Sequence, residues 1–198
     1  MNKVYKNLLS SLISQIITVV LGIIIPRLVL TSFGSDINGL QNSTSQLFAY
    51  IALLEAGVGT ATLQALYGPV ANNNHDKINE ILSATNHFYK RTGLIYFLCV
   101  VILAITYPIV ITTSVPTFTV IMVIMLQGMS GVVNYLFQGK YRILLQAEGK
   151  NYILTNLATI VQICVGFGKV IVISLGCDIV AVQAVFFSVN IAQMVFIC

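Results

Sequence analysis

Three residues carry a full charge inside stretches that otherwise read as hydrocarbon: Arg27 after Ile25-Pro26, Glu55 within Leu53-Leu54-Glu55-Ala56-Gly57-Val58-Gly59-Thr60, and Lys169 within Gly166-Phe167-Gly168-Lys169. A charge in the middle of a bilayer costs a few kcal/mol or more, so such residues usually face a bundle interior or a water-filled cavity. Glu55 is about a dozen residues from either end of its stretch and must be protonated, paired or hydrated. Arg27 and Lys169 lie roughly four to six residues from a helix end, about 6–9 Å at the helical rise, where snorkelling to the interface is a second reading for each.

The elements that hold these charges follow from composition. Of the 198 residues 57% are hydrophobic and only 8% charged, there is no Trp, and mean hydropathy is +0.91, whereas soluble domains carry about 25% charged residues. The chain reads as an all-α polytopic membrane protein with six transmembrane helices, at about 8–30, 41–67, 92–111, 118–137, 152–175 and 179–198, in one domain over 1–198. The basic start Met1-Asn2-Lys3-Val4-Tyr5-Lys6 is that of a signal peptide, but the apolar run continues through Ile25 with no small-residue cleavage pattern, so it reads as an uncleaved first span. Gly34 and Asp36 are a helix stop and the next N-cap, and Gly68-Pro69 ends span two. The polar segment 71–91 has Asp76 as an N-cap and an apolar stripe of Ile78, Ile81, Leu82 and Phe88, and reads as interfacial or helix-extending. A turn through Pro116, a polar basic loop over 138–151 and a tight Gly176-Cys177-Asp178 turn separate the remaining spans.

Lys and Arg outside the spans follow a topology. Lys3 and Lys6 precede span one, Lys77, Lys90 and Arg91 follow span two, and Lys140, Arg142 and Lys150 follow span four, while the alternate turns hold none. The positive-inside rule then makes the N-terminus cytoplasmic and turns Asp36 and Asp178 outward. The same pattern removes nucleic acid as a partner, because the net charge of +4 follows the loops and forms no patch.

Polar residues align on the spans at 100° per residue. Asn7, Ser11, Gln15, Thr18 and Gly22 share an arc of span one; Gln41, Thr44, Glu55, Gly59 and Thr62 of span two; Gln127, Gly131, Asn134 and Gln138 of span four; Thr155, Gln162, Gly166 and Lys169 of span five. Gln183 and Asn190 stand one heptad apart on span six, and span three has the weaker set Thr92, Tyr96, Cys99 and Thr106. Each stripe alone reads equally as helix-packing glue. Together, three of them charged, they favour a polar cavity enclosed by the bundle, since a dry interface would have to pair every group. The expected cavity-lining set is Gln15, Thr18, Gln127, Asn134, Gln162, Gln183 and Asn190. Arg27 points 100° or more from its own stripe on an ideal helix, and Pro26 makes that projection uncertain by kinking.

The segments Phe33-Gly34, Leu54-Glu55-Ala56-Gly57-Val58-Gly59-Thr60-Ala61, Gln138-Gly139-Lys140-Tyr141-Arg142 and Gln146-Ala147-Glu148-Gly149-Lys150-Asn151-Tyr152 resemble those of polysaccharide-export flippases of the multidrug/oligosaccharidyl-lipid/polysaccharide exporter superfamily. The resemblance runs along the whole chain and corresponds to the N-terminal six-helix lobe of a two-lobe transporter. It implies flipping of undecaprenyl-pyrophosphate-linked oligosaccharide across the bacterial cytoplasmic (inner) membrane, for surface polysaccharide synthesis. It also implies a lipid bilayer and a lipid-linked oligosaccharide as partners and a second six-helix lobe or a homodimer partner; which coupling ion, H+ or Na+, is not given by the sequence. The single lobe suggests a truncated or split reading frame, or a half-transporter that dimerises. In this family cavity cations neutralise the pyrophosphate; physically, Arg in particular matches phosphate oxygens bidentately. Arg27 and Lys169 are the candidates here, with Glu55 balancing or gating them.

Two other functions stay open: an antiporter of small cations in the same superfamily using Glu55, and a non-transporting remnant or assembly partner. Enzymatic chemistry is not expected. His75 and His87 have no nucleophile or ligand spacing beside them, Cys99, Cys164, Cys177 and Cys198 form no CxxC, and no phosphate-cradling glycine loop is present, so no cofactor or metal is expected.

Overall fold

The computed structural model describes residues 3–53 and 56–197. These residues form seven α-helices and no strand: α1 (Lys3–Ala52), α2 (Ala56–Ala71), α3 (His75–Val110), α4 (Thr117–Val133), α5 (Gly139–Ala147), α6 (Asn151–Ser174) and α7 (Ile179–Ile197), with a π-helical turn over Asn134–Gln138 between α4 and α5. Four helical stretches are long and apolar enough to cross a bilayer, namely α1, α3, α4 continued through α5, and α6; α7 is apolar but shorter. Large apolar side chains such as Ile16, Ile23, Ile109, Phe167 and Val195 stand exposed around them, as a helical membrane protein requires.

A straight helix of the length of α1 would reach about 75 Å, over twice the hydrocarbon thickness of a bilayer. Gly34 breaks it at φ 85° and ψ 179°, a region essentially closed to residues with a Cβ. The two arms, 3–33 and 35–52, then lie on either side of one cavity, with Gly22, Ile25 and Val29 on one wall and Asn38, Gln41 and Ser45 on the other. The expected stop at Gly34 is therefore present. Asp36 is held by the turn between α3 and α4, accepting hydrogen bonds from the hydroxyl and, at 3.2 Å, the backbone N–H of Ser114.

Three boundaries differ from the sequence expectation. Pro69 does not end its helix; α2 runs on to Ala71, and the stop comes where Asn73 takes φ 50° and the N–H groups of Asn73 and Asn74 close on the carbonyls of Val70 and Pro69. Asparagine tolerates this left-handed conformation. The polar segment 71–91 is mostly helix, since α3 starts at His75 and runs unbroken to Val110. Its N-cap is Asn74, whose side chain accepts from Lys77 N–H at 3.1 Å, in place of Asp76. Of the expected stripe of Ile78, Ile81, Leu82 and Phe88, the first three pack on a small core of Leu66, Tyr89 and Ile143, and this burial pulls the polar segment into the bundle. Phe88 is not in that core, its ring standing 6.4 Å from that of Tyr89.

The third difference is the basic loop 138–151, which is helical as far as Ala147. Gln138, expected both on the polar stripe of span four and at the start of that loop, is 1% exposed. The helix ends at Gly149, φ 69°, where the N–H groups of Gly149 and Lys150 return to Gln146 and Leu145 in a Schellman closure. Gly176, φ 73°, repeats the closure at the end of α6, with Gly176 and Cys177 bonded to Ile173 and Val172.

The main core joins Val29, Leu40 and Phe48 of α1, Tyr96, Val100 and Tyr107 of α3, Val120, Val123 and Ile124 of α4, Ile173 of α6, and Ile179 and Val182 of α7. Close helix approach depends on glycine at Gly128, where an added Cβ would stand 2.5 Å from Val100 Cγ1. The basic segments collect at one end. Lys3 Nζ donates to the Glu148 carbonyl at 3.1 Å, Asn7 joins Gly149 and Tyr152, and Lys6 lies over the Tyr152 ring. There Glu148 sits 2.6 Å from Lys150 and pushes its ammonium above the ordinary value, first by the hydrogen bond and then by its charge.

Candidate functional site: a polar cavity beside Lys169

A cavity of about 370 Å³ opens between the two arms of α1, α4, α6 and α7. Its polar lining comes from every one of these elements: Thr18, Asn38, Gln41, Asn42 and Ser45 from α1, Gln127 from α4, Gln162 and Lys169 from α6, and Gln183 from α7. Thr18, Gln127, Gln162, Gln183 and Lys169 of the sequence-derived set thus meet in one place.

The amides are held by cross-helix hydrogen bonds. Thr18 donates to Gln162 Oε1 at 3.0 Å, joining α1 to α6. Thr44 donates to Gln127 Oε1 at 3.0 Å and Gln127 Nε2 donates to Ser45 at 2.6 Å, joining α4 to the second arm of α1. Gln41 Nε2 is buried with no hydrogen-bond partner among the described residues, so a donor at the cavity wall is left for a ligand or water. Lys169 lies with Nζ 5.4 Å from the Phe186 ring centroid, a cation–π seat that holds the ammonium without neutralising it. Among the described residues, no acidic side chain lines this cavity. Its described lining carries one cation, surrounded by amides and hydroxyls, which suits an anion carrying many oxygen acceptors.

Other members of the expected set lie elsewhere. Arg27 is exposed and outside the cavity lining, although its neighbour Pro26 lines it. This agrees with the projection of Arg27 away from the span-one stripe. Gln15 is exposed and also outside. Asn190 donates to its own helix at the Phe186 carbonyl, 2.7 Å away, and does not line the cavity. Glu55 lies outside the described residues.

Asn134 belongs to a second cavity, of about 530 Å³, towards the basic end, with Thr60, Tyr89, Tyr96, Arg142 and Gln146. Its amide donates to the Ser130 carbonyl at 3.1 Å, while its Oδ1 is buried without a hydrogen-bond partner among the described residues. Tyr96 reaches this cavity by lying over Gly131, where a Cβ would stand 2.6 Å from the Tyr96 hydroxyl oxygen. Asn38, Asn42, Ser45 and Phe186 are not among the residues expected from the sequence to line the cavity. The first three, with Gln41, repeat at i, i+3, i+4 and i+7, a helical stripe that only the reversal at Gly34 turns towards span one.

The chain matches no protein-family model, and no curated protein or solved structure gives a significant match.

Proposed function

We propose that the chain is a membrane transport lobe that crosses the bilayer six times, with its basic end cytoplasmic, and flips an undecaprenyl-pyrophosphate-linked oligosaccharide across the bacterial cytoplasmic membrane. The observation that carries this reading is Lys169, a cation on the wall of a cavity otherwise lined by amides, hydroxyls and apolar groups. A pyrophosphate leaving water needs a countercharge, and sugar hydroxyls need donors and acceptors; the cavity supplies one cation and several of each. The six crossings comprise the arm of α1 before the Gly34 reversal, the arm after it taken together with α2, then α3, α4 with α5, α6 and α7. A second six-helix lobe, or a second copy of the chain, completes the path on the open side of the cavity. Arg27, exposed on the same arm, is available to that partner or to the interface.

Among the described lining residues there is one cation and no carboxylate, which favours an anionic cargo in this cavity. In cells whose surface polysaccharide depends on this protein, Lys169→Ala should lower export at least tenfold and Lys169→Arg should preserve it. Export unchanged in Lys169→Ala would remove Lys169 from the path.

A further inference from the structure

Away from both polar cavities, α3 and α4 leave a groove of about 600 Å³ between them. Leu94 and Phe97 form one wall, Met129, Val132 and Leu136 the other, and Lys90 stands among them as the sole polar side chain of the lining. Lys90 is exposed and lies seven residues before Phe97 on α3, about 10 Å along the helix. It marks the end of the groove nearest the basic segments. Gly93 makes the floor possible, since a Cβ there would stand 2.9 Å from Leu136 Cδ2 and 3.3 Å from Tyr135 Cβ.

The groove is therefore an apolar trough about 10 Å long with an ammonium at one end. An apolar helix from a second protein would strand that ammonium against hydrocarbon. An amphiphile with an anionic head and a hydrocarbon tail satisfies both ends, and basic pockets between transmembrane helices on the cytoplasmic side bind acidic lipid headgroups. We propose that this groove is a binding site for an anionic phospholipid of the leaflet at the basic end, its phosphate on Lys90 and one acyl chain against Leu94, Phe97 and Met129. The site rests on the membrane-spanning part of the reading above and is independent of transport.

The test is native mass spectrometry of the full chain released from nanodiscs made of equal parts phosphatidylglycerol and phosphatidylcholine. Wild-type protein should retain phosphatidylglycerol preferentially. Lys90→Ala should lower that preference about fivefold, the equivalent of roughly 1 kcal/mol for one basic residue at an anionic surface; Lys90→Arg should keep it. Leu94→Trp, which fills the trough from a position 60% exposed, should displace the lipid without touching the charge. Lys140→Ala, at the same end but lining a different pocket, should leave retention unchanged. Equal retention of both lipids, wild-type retention in Lys90→Ala, or an equal loss in Lys140→Ala would overturn the site. Failure of the chain to enter nanodiscs would overturn the membrane reading and the site with it.

Discussion

An ammonium inside an apolar bundle is stable only where something attracts it, and Lys169 has the face of Phe186 at 5.4 Å. That interaction is worth about 0.5–2 kcal/mol depending on desolvation. Phe186→Leu should therefore weaken binding of an anionic ligand several-fold by freeing the ammonium, and Phe186→Tyr should restore it; isothermal titration of the two variants separates aromatic seating from simple packing. At the opposite end from the basic segments, Asp36 accepts from the Ser114 hydroxyl and backbone N–H, and these bonds hold its carboxyl below the usual carboxylate range. A depressed value in the folded chain means that the clasp contributes above the ordinary carboxylate pKa of about 4 and is lost as pH falls through the folded value. Hydrogen exchange at the Ser114 amide, corrected for intrinsic rate, should show protection at neutral pH that persists through the ordinary carboxylate pKa of about 4 and is lost only as pH falls through the depressed value. Asp36→Asn should remove that pH dependence.

At the scale of the elements, the Gly34 reversal and the glycine at the α3–α4 crossing do most to shape the site. Gly34→Ala places a Cβ in a conformation that side-chain-bearing residues rarely adopt, and should cost about 1–3 kcal/mol, measured as a fall in thermal stability in detergent. Gly128→Val adds bulk where even a Cβ would stand 2.5 Å from Val100, and should destabilise by about 1–3 kcal/mol through overpacking. Much of this scaffold was legible in the sequence. Periodicity and apolar length located the long helices, Gly34 and Gly176 announced their turns, and Pro116 caps α4 where a boundary was expected. What the sequence hid was tertiary in origin. The basic segment after span four looked like a loop because it is polar, yet it is helix because Ile143 packs on Leu66 and Tyr89. Asn38, Asn42 and Ser45 form a helical stripe whose partner could not be read from the sequence, because the reversal at Gly34 sets them across the cavity from Thr18 and Gly22. Asn190 shared a heptad with Gln183, but its amide bonds to its own backbone at Phe186.

For the whole molecule, the basic segments gather at one end, where Lys3 meets Glu148 and Asn7 meets Gly149, and Asp36 meets Ser114 at a turn that carries no Lys or Arg. That asymmetry gives the proposed orientation a direct reporter in a native residue. Cys177 is exposed in the Gly176 turn, whereas Cys164 is exposed on the apolar shaft of α6. A membrane-impermeant thiol reagent applied to intact cells should label Cys177 and spare Cys164, which would face hydrocarbon, and Cys177→Ser should abolish the signal. Labelling of Cys177 only after permeabilisation would invert the orientation. The central claim, that the α1–α4–α6–α7 cavity receives a polyprenyl pyrophosphate through Lys169, is met most directly by equilibrium binding of undecaprenyl pyrophosphate to the purified chain. The expected result is at least about a tenfold loss of affinity in Lys169→Ala, as for a charged hydrogen bond of 1.5–3 kcal/mol, with Lys169→Arg close to wild type. Equal affinity in the wild-type and Lys169→Ala proteins would contradict it.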